Sequence, residues 1–159
     1  MKILVAYFST GGVTAGMAKK LAGAVNADLF EIRPELPYTE ADLDWTNKSS
    51  RSSAEMENKA FRPALAGDCR VENMDAYDIL FVGFPIWWYT APTIINSFLE
   101  QYELNGKKLV TFASSGSSGM GGANRDLAPS CKGTSLLAGK RFPADVSREE
   151  LKSWAEKFI

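Results

Sequence analysis

The segment Ile3-Leu4-Val5-Ala6-Tyr7-Phe8-Ser9-Thr10-Gly11-Gly12-Val13-Thr14 begins as an unbroken apolar run and turns abruptly into hydroxyls and glycines. A strand with no polar face must be covered on both sides, which is the situation of a parallel sheet. A helical pattern follows directly, with Met17, Ala18, Leu21, Ala22 and Val25 on one face and Lys19 and Lys20 on the other. Strand, turn and helix in that order place the Ser/Thr/Gly turn where the N–H groups of a helix N-terminus point outward.

The alternation continues along the chain. Asp28–Arg33 reads as a second short strand stopped by Pro34, and Ile79–Phe84 as a third, again apolar on both faces. Pro85–Ala91 is its exit loop, and Pro92 opens a helix at a position that tolerates proline, with Ile94, Ile95, Phe98, Leu99 and Tyr102 as its apolar stripe. Lys108–Ala113 is a fourth strand, followed by the Ser/Gly stretch Ser114–Gly122, a weaker helix over Ala123–Ala128 and a fifth strand over Thr134–Ala138. Ser147-Arg148-Glu149-Glu150 reads as a capping box for a last helix that buries Leu151, Trp154, Ala155, Phe158 and Ile159. The pattern predicts a doubly wound α/β fold with a parallel sheet and helices on both faces, residues 1–159 forming one domain. In such sheets ligands bind beyond the carboxyl ends of the strands, so the loops after strands one, three and four are the candidates.

Composition removes several classes of chemistry. Among 159 residues there is no histidine. That excludes Ser-His-Asp and Cys-His nucleophile systems and imidazole metal sites, and neither a catalytic side chain nor a metal is expected. The net charge is −1, and no stretch concentrates Lys and Arg, so nucleic acid is not an expected partner. Cys69 and Cys131 stand far apart without a C-x-x-C motif, which favours reduced thiols in a cytoplasmic protein and leaves a disulfide as the alternative. The N-terminal apolar run is too short for a signal peptide, and the stretch Ile79–Ala91 is broken by Gly83 and Pro85. No membrane span is expected.

The three candidate loops have distinct chemistry. Ser9–Thr14 offers hydroxyls and amides but no cation, which suits a phosphate held by neutral donors; a plain N-capped turn is the alternative. It matches neither G-x-x-x-x-G-K-[ST] nor G-x-G-x-x-G, so an NTPase and a standard dinucleotide enzyme lose support. Its hydroxyls replace the acidic pair a receiver domain needs for Mg²⁺. Pro85-Ile86-Trp87-Trp88-Tyr89-Thr90-Ala91-Pro92 carries adjacent aromatics that can stack on a planar ligand or plug the gap between loop and helix. Ser114–Gly122 lets backbone approach a heterocycle, or forms a flexible turn; Met120 breaks the G-x-S-x-G elbow, and a serine hydrolase lacks its histidine. Together the loops ask for a ligand with a phosphate at one end and a flat heteroaromatic system at the other.

On these loops the chain resembles the flavodoxin family over essentially its whole length. The family pattern [ST]-x-[ST]-G-x-[ST] after the first strand reads here Ser9-Thr10-Gly11-Gly12-Val13-Thr14, with Gly11 in place of a hydroxyl residue. Pro85-Ile86-Trp87-Trp88 and Thr111-Phe112-Ala113-Ser114-Ser115-Gly116 resemble the flavin-contacting loops of small bacterial members. The resemblance implies a flavodoxin-like five-stranded sheet in the order 2-1-3-4-5 and FMN as cofactor. It assigns the phosphate to Ser9, Thr10, Gly11, Gly12, Val13 and Thr14. One side of the isoalloxazine falls to Pro85, Ile86, Trp87 and Trp88, and its other edge to Ser114, Ser115, Gly116 and Gly119. The implied activity is electron transfer or oxidoreduction, with a redox partner protein or a small acceptor. An NAD(P)H-dependent reductase of quinones or similar acceptors competes with an electron carrier, and a flavin-binding regulatory module is a third class. Carriers tend to be strongly acidic, and a net charge of −1 gives that reading little support. The sequence leaves the oligomeric state open.

Residues 35–76 separate strands two and three, far beyond the ~12–15 residues usual for a structureless loop. Ser52 or Ser53 is expected to cap a short helix running to about Phe61, before Pro63. Trp45 and Arg51 are candidates for a lid over the flavin; the alternative is a structural wrap over a sheet edge.

Overall fold

The computed structural model describes residues 1–159. Five strands, β1 (Ile3–Tyr7), β2 (Asp28–Glu31), β3 (Ile79–Pro85), β4 (Lys108–Ser114) and β5 (Ser135–Phe142), form one sheet in the order β2-β1-β3-β4-β5. Every neighbouring pair is parallel. The helices are α1 (Val13–Val25), α2 (Arg51–Glu57), α3 (Thr93–Leu99), α4 (Ala123–Leu127) and α5 (Arg148–Ala155). None is long and apolar enough to cross a membrane.

Side chains alternate across the sheet with the strand period of two. Leu4, Ala6, Phe8, Leu80, Val82 and Phe84 face one way, onto α3 and α4 and the buried Ile32, Cys69, Val71 and Met74. Ile3, Val5, Tyr7, Ile79 and Phe81 face the other way, onto Met17 and Leu21 of α1 and Leu151 and Trp154 of α5. Trp154 packs edge-on against Phe81, Phe112, Phe142 and Phe158. Ile159, expected in this cluster, is 45% exposed, because it lies beyond the end of α5. Ser147 caps α5 by accepting the Glu150 N–H at 3.1 Å.

Element ends differ from the sequence reading where local chemistry competes. The β5 strand runs on to Phe142, past a register shift between its pairings Val110↔Leu137 and Phe112↔Lys140. This bulge absorbs an extra residue and hides the strand's period. Helix α2 is capped by Ser50, not Ser52 or Ser53, and stops at Glu57 rather than Phe61. Asn58 is extended there, its side chain accepts the Ala60 N–H, and the exposed Phe61 offers no buried face to prolong the helix. The insert also runs back beside the continuation of β2, with an antiparallel bridge Pro34↔Leu65 and the bonds Glu35 N–H to Ala64 O and Ala66 N–H to Arg33 O. Cys69 and Cys131 are buried and unpaired, and burial pushes both thiols above their ordinary range.

Candidate functional site

The loops after β1, β3 and β4 meet at the carboxyl edge of the sheet. A cavity of about 350 Å³ is lined by Ser9, Thr10, Gly11, Val13 and Thr14, by Pro85, and by Ser114, Ser115 and Gly116. Pro143 and Ala144, just after β5, complete it. Its chemistry follows from the start of α1. Gly12 takes φ 89°, the left-handed conformation that L side chains resist, and so turns the chain into the helix. Its N–H bonds Ser9 Oγ at 3.2 Å, and it does not itself line the cavity. No side chain caps α1, and the first turn closes with Gly16 N–H to Gly12 O at 3.0 Å. The amides of Val13, Thr14 and Ala15 therefore have no helical partner and remain as donors at the positive end of the helix dipole. On the floor Thr14 Oγ1 and Ser114 Oγ share a buried hydrogen bond of 2.7 Å, which ties β4 to α1. No cation lines this cavity. It is a cradle of neutral donors for a phosphate-sized anion.

Beyond Pro85 the chain makes a tight turn over Trp87–Thr90, with Trp87 N–H to Thr90 O at 2.9 Å and Thr90 N–H to Trp87 O at 3.1 Å. Trp88 (φ 48°) and Tyr89 (φ 63°) are both left-handed, which costs roughly 1–2 kcal/mol each. Three contacts hold the strained turn. Gly122 N–H bonds Tyr89 O at 2.9 Å, Thr90 Oγ1 donates to Asp126 Oδ2 at 2.7 Å, and Ile86 N–H reaches Ser114 O at 3.4 Å. Burial alone would raise the Asp126 carboxyl, but hydrogen bonds from Thr90, Arg125 and Lys59 outweigh it and hold the group below the usual carboxylate range. The turn separates the aromatics. Trp87 points inward, edge-on to Phe8 at 5.6 Å and to Tyr38 at 5.4 Å, whereas Trp88 and Tyr89 are 42% and 76% exposed.

These aromatics border a second cavity of about 470 Å³. Thr10 lines both cavities, so the two adjoin. The second is lined by Ile86, Trp87, Trp88, Tyr89 and Ser118, and by Leu43, Trp45 and Ser52 of the insert. The Ser/Gly loop is tethered. Arg141 on β5 donates to Ser115 O at 2.8 and 3.1 Å and to Gly116 O, and Ser115 Oγ donates to Ser118 O. Gly119 lines neither cavity.

The lid expectation divides between its two residues. Trp45 is 74% exposed and stands at the second cavity. Arg51 lines no part of it. Its guanidinium lies 3.8 Å over the Tyr38 ring, pairs with Glu55 at 3.0 Å and donates to Leu36 O at 2.8 Å. Tyr38 in turn donates to the buried Glu55 carboxylate; burial and that bond push its phenol far above its ordinary range. Arg51 braces the insert from within because its guanidinium is consumed by these partners. Sequence reasoning missed Pro143, Ala144, Leu43, Ser52, Tyr89, Ser118 and Arg141. Of these, Tyr89 and Ser118 lay inside loops already singled out, Leu43 and Ser52 inside the insert, where Ser52 was expected only as a helix cap, and Pro143, Ala144 and Arg141 carried no local signal.

The family model for flavodoxin matches residues 2–158. The chain belongs to the flavodoxin family. This flavodoxin is 44% identical to candidate flavoproteins from Bacteroides eggerthii and Bacteroides uniformis, with a TM-score of 0.90 to each. The alignments cover 98% of this chain and 96% and 97% of theirs. A Lactobacillus acidophilus flavoprotein solved in complex with FMN shares the fold, with a TM-score of 0.71 at 21% identity over 97% of this chain and 98% of that one. No curated protein matches.

Proposed function

We propose that this flavodoxin binds FMN and works as a redox protein. The observation that carries the reading is the adjacency of the two cavities: neutral phosphate donors at Ser9–Thr14 line one, and Ile86, Trp87 and Trp88 line the other together with Ser118. The amides of Val13, Thr14 and Ala15 with the Ser9, Thr10 and Thr14 hydroxyls hold the phosphate, Gly11 contributing backbone alone. Pro85, Ile86 and Trp88 line the ring, while Trp87 anchors their turn to the core. Ser114, Ser115 and Gly116 close the opposite side, and Gly12 and Gly119 shape loops rather than walls. When bound, FMN supplies hydride and single-electron chemistry, and the chain needs no acid or base of its own. Its residues orient the cofactor and keep water from one face. The buried free thiols Cys69 and Cys131 support a reducing, cytoplasmic setting.

Within this reading, reduction of small acceptors at the expense of a nicotinamide donor is favoured over shuttling electrons between proteins. The second cavity is walled by the insert and offers room beside the ring, and the near-neutral surface gives no field for steering a basic partner. The test is direct. The purified protein is expected to be yellow and to release FMN on denaturation. Anaerobic mixing of the holoprotein with NADH or NADPH then bleaches the flavin rapidly. A colourless protein that takes up no FMN overturns the reading, and a yellow one that neither nucleotide bleaches leaves the carrier role.

A further inference from the structure

We infer that Arg141, near the end of β5, is a positioning residue for the flavin. It turns two peptide groups of the Ser/Gly loop so that their N–H groups face the carbonyl-bearing edge of the ring, and its charge, relayed by those peptides, favours the reduced cofactor. The inference rests on the FMN reading above and adds a residue that sets the redox balance from behind the wall of the site.

Every side-chain hydrogen bond of Arg141 goes to this one loop. Nε and Nη2 donate to Ser115 O at 3.1 and 2.8 Å, Nε also reaches Ser115 Oγ at 3.3 Å, and Nη2 donates to Gly116 O. No carboxylate lies within ion-pair distance of it, whereas Arg33, Arg51, Arg62 and Arg125 each have one. Arg141 is half-buried. A guanidinium so placed, with only carbonyl and hydroxyl oxygens as partners, keeps a positive field that no acid cancels.

Peptide geometry gives these bonds a direction. In a trans peptide the C=O and the N–H that follows it point opposite ways. Holding Ser115 O and Gly116 O on the guanidinium therefore turns the Gly116 and Ser117 N–H groups away from Arg141. That is the cavity side, because Gly116 lines the first cavity and Arg141 lines neither. Neither N–H has a partner within the protein. Since Ser118 lines the second cavity, the Ser117 peptide lies between the two, where the cofactor passes from its phosphate end to its ring. Ser115 Oγ, donating to Ser118 O, braces the same turn.

The carbonyl-bearing edge of a flavin offers two oxygens and an unprotonated ring nitrogen as acceptors. Uptake of two electrons and one proton leaves a net negative charge there. Fixed amides and a nearby cation bind that form more strongly than the neutral one. No cation lines either cavity, so Arg141, in contact with the wall residues Ser115 and Gly116, supplies the positive field.

The experiment compares the wild-type holoprotein with Arg141→Met, Arg141→Gln, Arg141→Lys and Lys140→Met. Lys140 is a cation of the same strand that lies over the Phe142 ring and makes no hydrogen bond to the loop. Fluorescence titration gives the dissociation constant of oxidised FMN. Anaerobic titration with dithionite beside a dye of known potential gives the two-electron midpoint. The midpoint reports the ratio of affinities for the two forms, so a loosened loop that weakens both alike does not move it. Arg141→Met and Arg141→Gln are each expected to lose affinity for reduced FMN about tenfold more than for oxidised FMN, a fall of about 30 mV. Arg141→Lys keeps the charge without the planar fork; it is expected to recover most of that fall while binding oxidised FMN more loosely than the wild type. Lys140→Met is expected to keep the wild-type midpoint. A wild-type midpoint in Arg141→Met and Arg141→Gln overturns the inference. So does an equal fall in Arg141→Lys or in Lys140→Met, and in each case the FMN reading stands. A wild type that takes up no FMN removes both.

Discussion

Gly11 is where this phosphate cradle departs from the family pattern, and the departure is not forced by space. A Cβ built on Gly11 meets nothing within 4 Å, and Gly11 does not share the left-handed φ of Gly12. Gly11→Ser is therefore expected to restore a side-chain donor and tighten FMN binding by about 0.5–1.5 kcal/mol. Thr14→Ala acts in the opposite sense. It removes a donor and strands Ser114 Oγ on the cavity floor, and FMN binding is expected to weaken by about 1–3 kcal/mol, as for a hydrogen bond to a charged group. Titrating free FMN with each apoprotein and following flavin fluorescence measures both; equal affinity in all three proteins would remove the phosphate from this loop. At this scale the sequence was informative wherever chemistry sat in a run directly after a strand, as in Ser9–Thr14. It was silent on Pro143 and Ala144, which reach the site only through the end of an edge strand.

The Trp87–Thr90 turn is the element under most strain, and Asp126 of α4 is its clasp. Asp126 titrates below the usual carboxylate range, so its contribution is fully present above the pKa it has in the unfolded chain, about 3.9. That contribution is lost as the pH falls through its lower folded value. The tryptophan fluorescence of the wild type is thus expected to hold from pH 7 to about pH 4 and to change below it. Asp126→Asn is expected to show a looser turn already at neutral pH and a smaller change on acidification; identical acid profiles for the two proteins would release Asp126 from this role. The sequence showed that the loop exists but not its shape. Two successive left-handed non-glycine residues run against local propensity, and the contacts from Gly122, Asp126 and Ser114 make them tenable. The insert shows the same limit. Its helix was foreseen, but the cap is Ser50, whose extended backbone lets its side chain accept the Ser53 N–H, while Ser52 and Ser53 already lie inside the helix.

For the whole molecule, the continuous apolar strands and the strand–helix alternation made sheet order and layering legible, since both follow from burial of every central strand on two faces. Only the irregular parts escaped: the bulged β5 and the wrap of residues 35–76. Because the proposed FMN site draws on loops from β1, β3 and β4, binding is expected to stabilise the entire fold. With FMN at a hundredfold excess over its Kd the gain is about 2.7 kcal/mol, or about 5–10 °C in Tm, read by circular dichroism melts with and without FMN. Equal melting temperatures would mean that the cofactor does not bind the native state. The position of the insert in the chain has a kinetic side as well. β1 sits between β2 and β3, and its pairing with β3 closes only after α1, β2, α2 and the entire wrap have been made. Lengthening that connection costs little at equilibrium, about 0.6 kcal/mol per doubling. It does delay the β1–β3 pairing. On a ribosome the apolar face of β1 therefore waits, exposed, for a partner still being synthesised. The segment that shapes the site also lengthens the time during which the newborn chain is most open to aggregation.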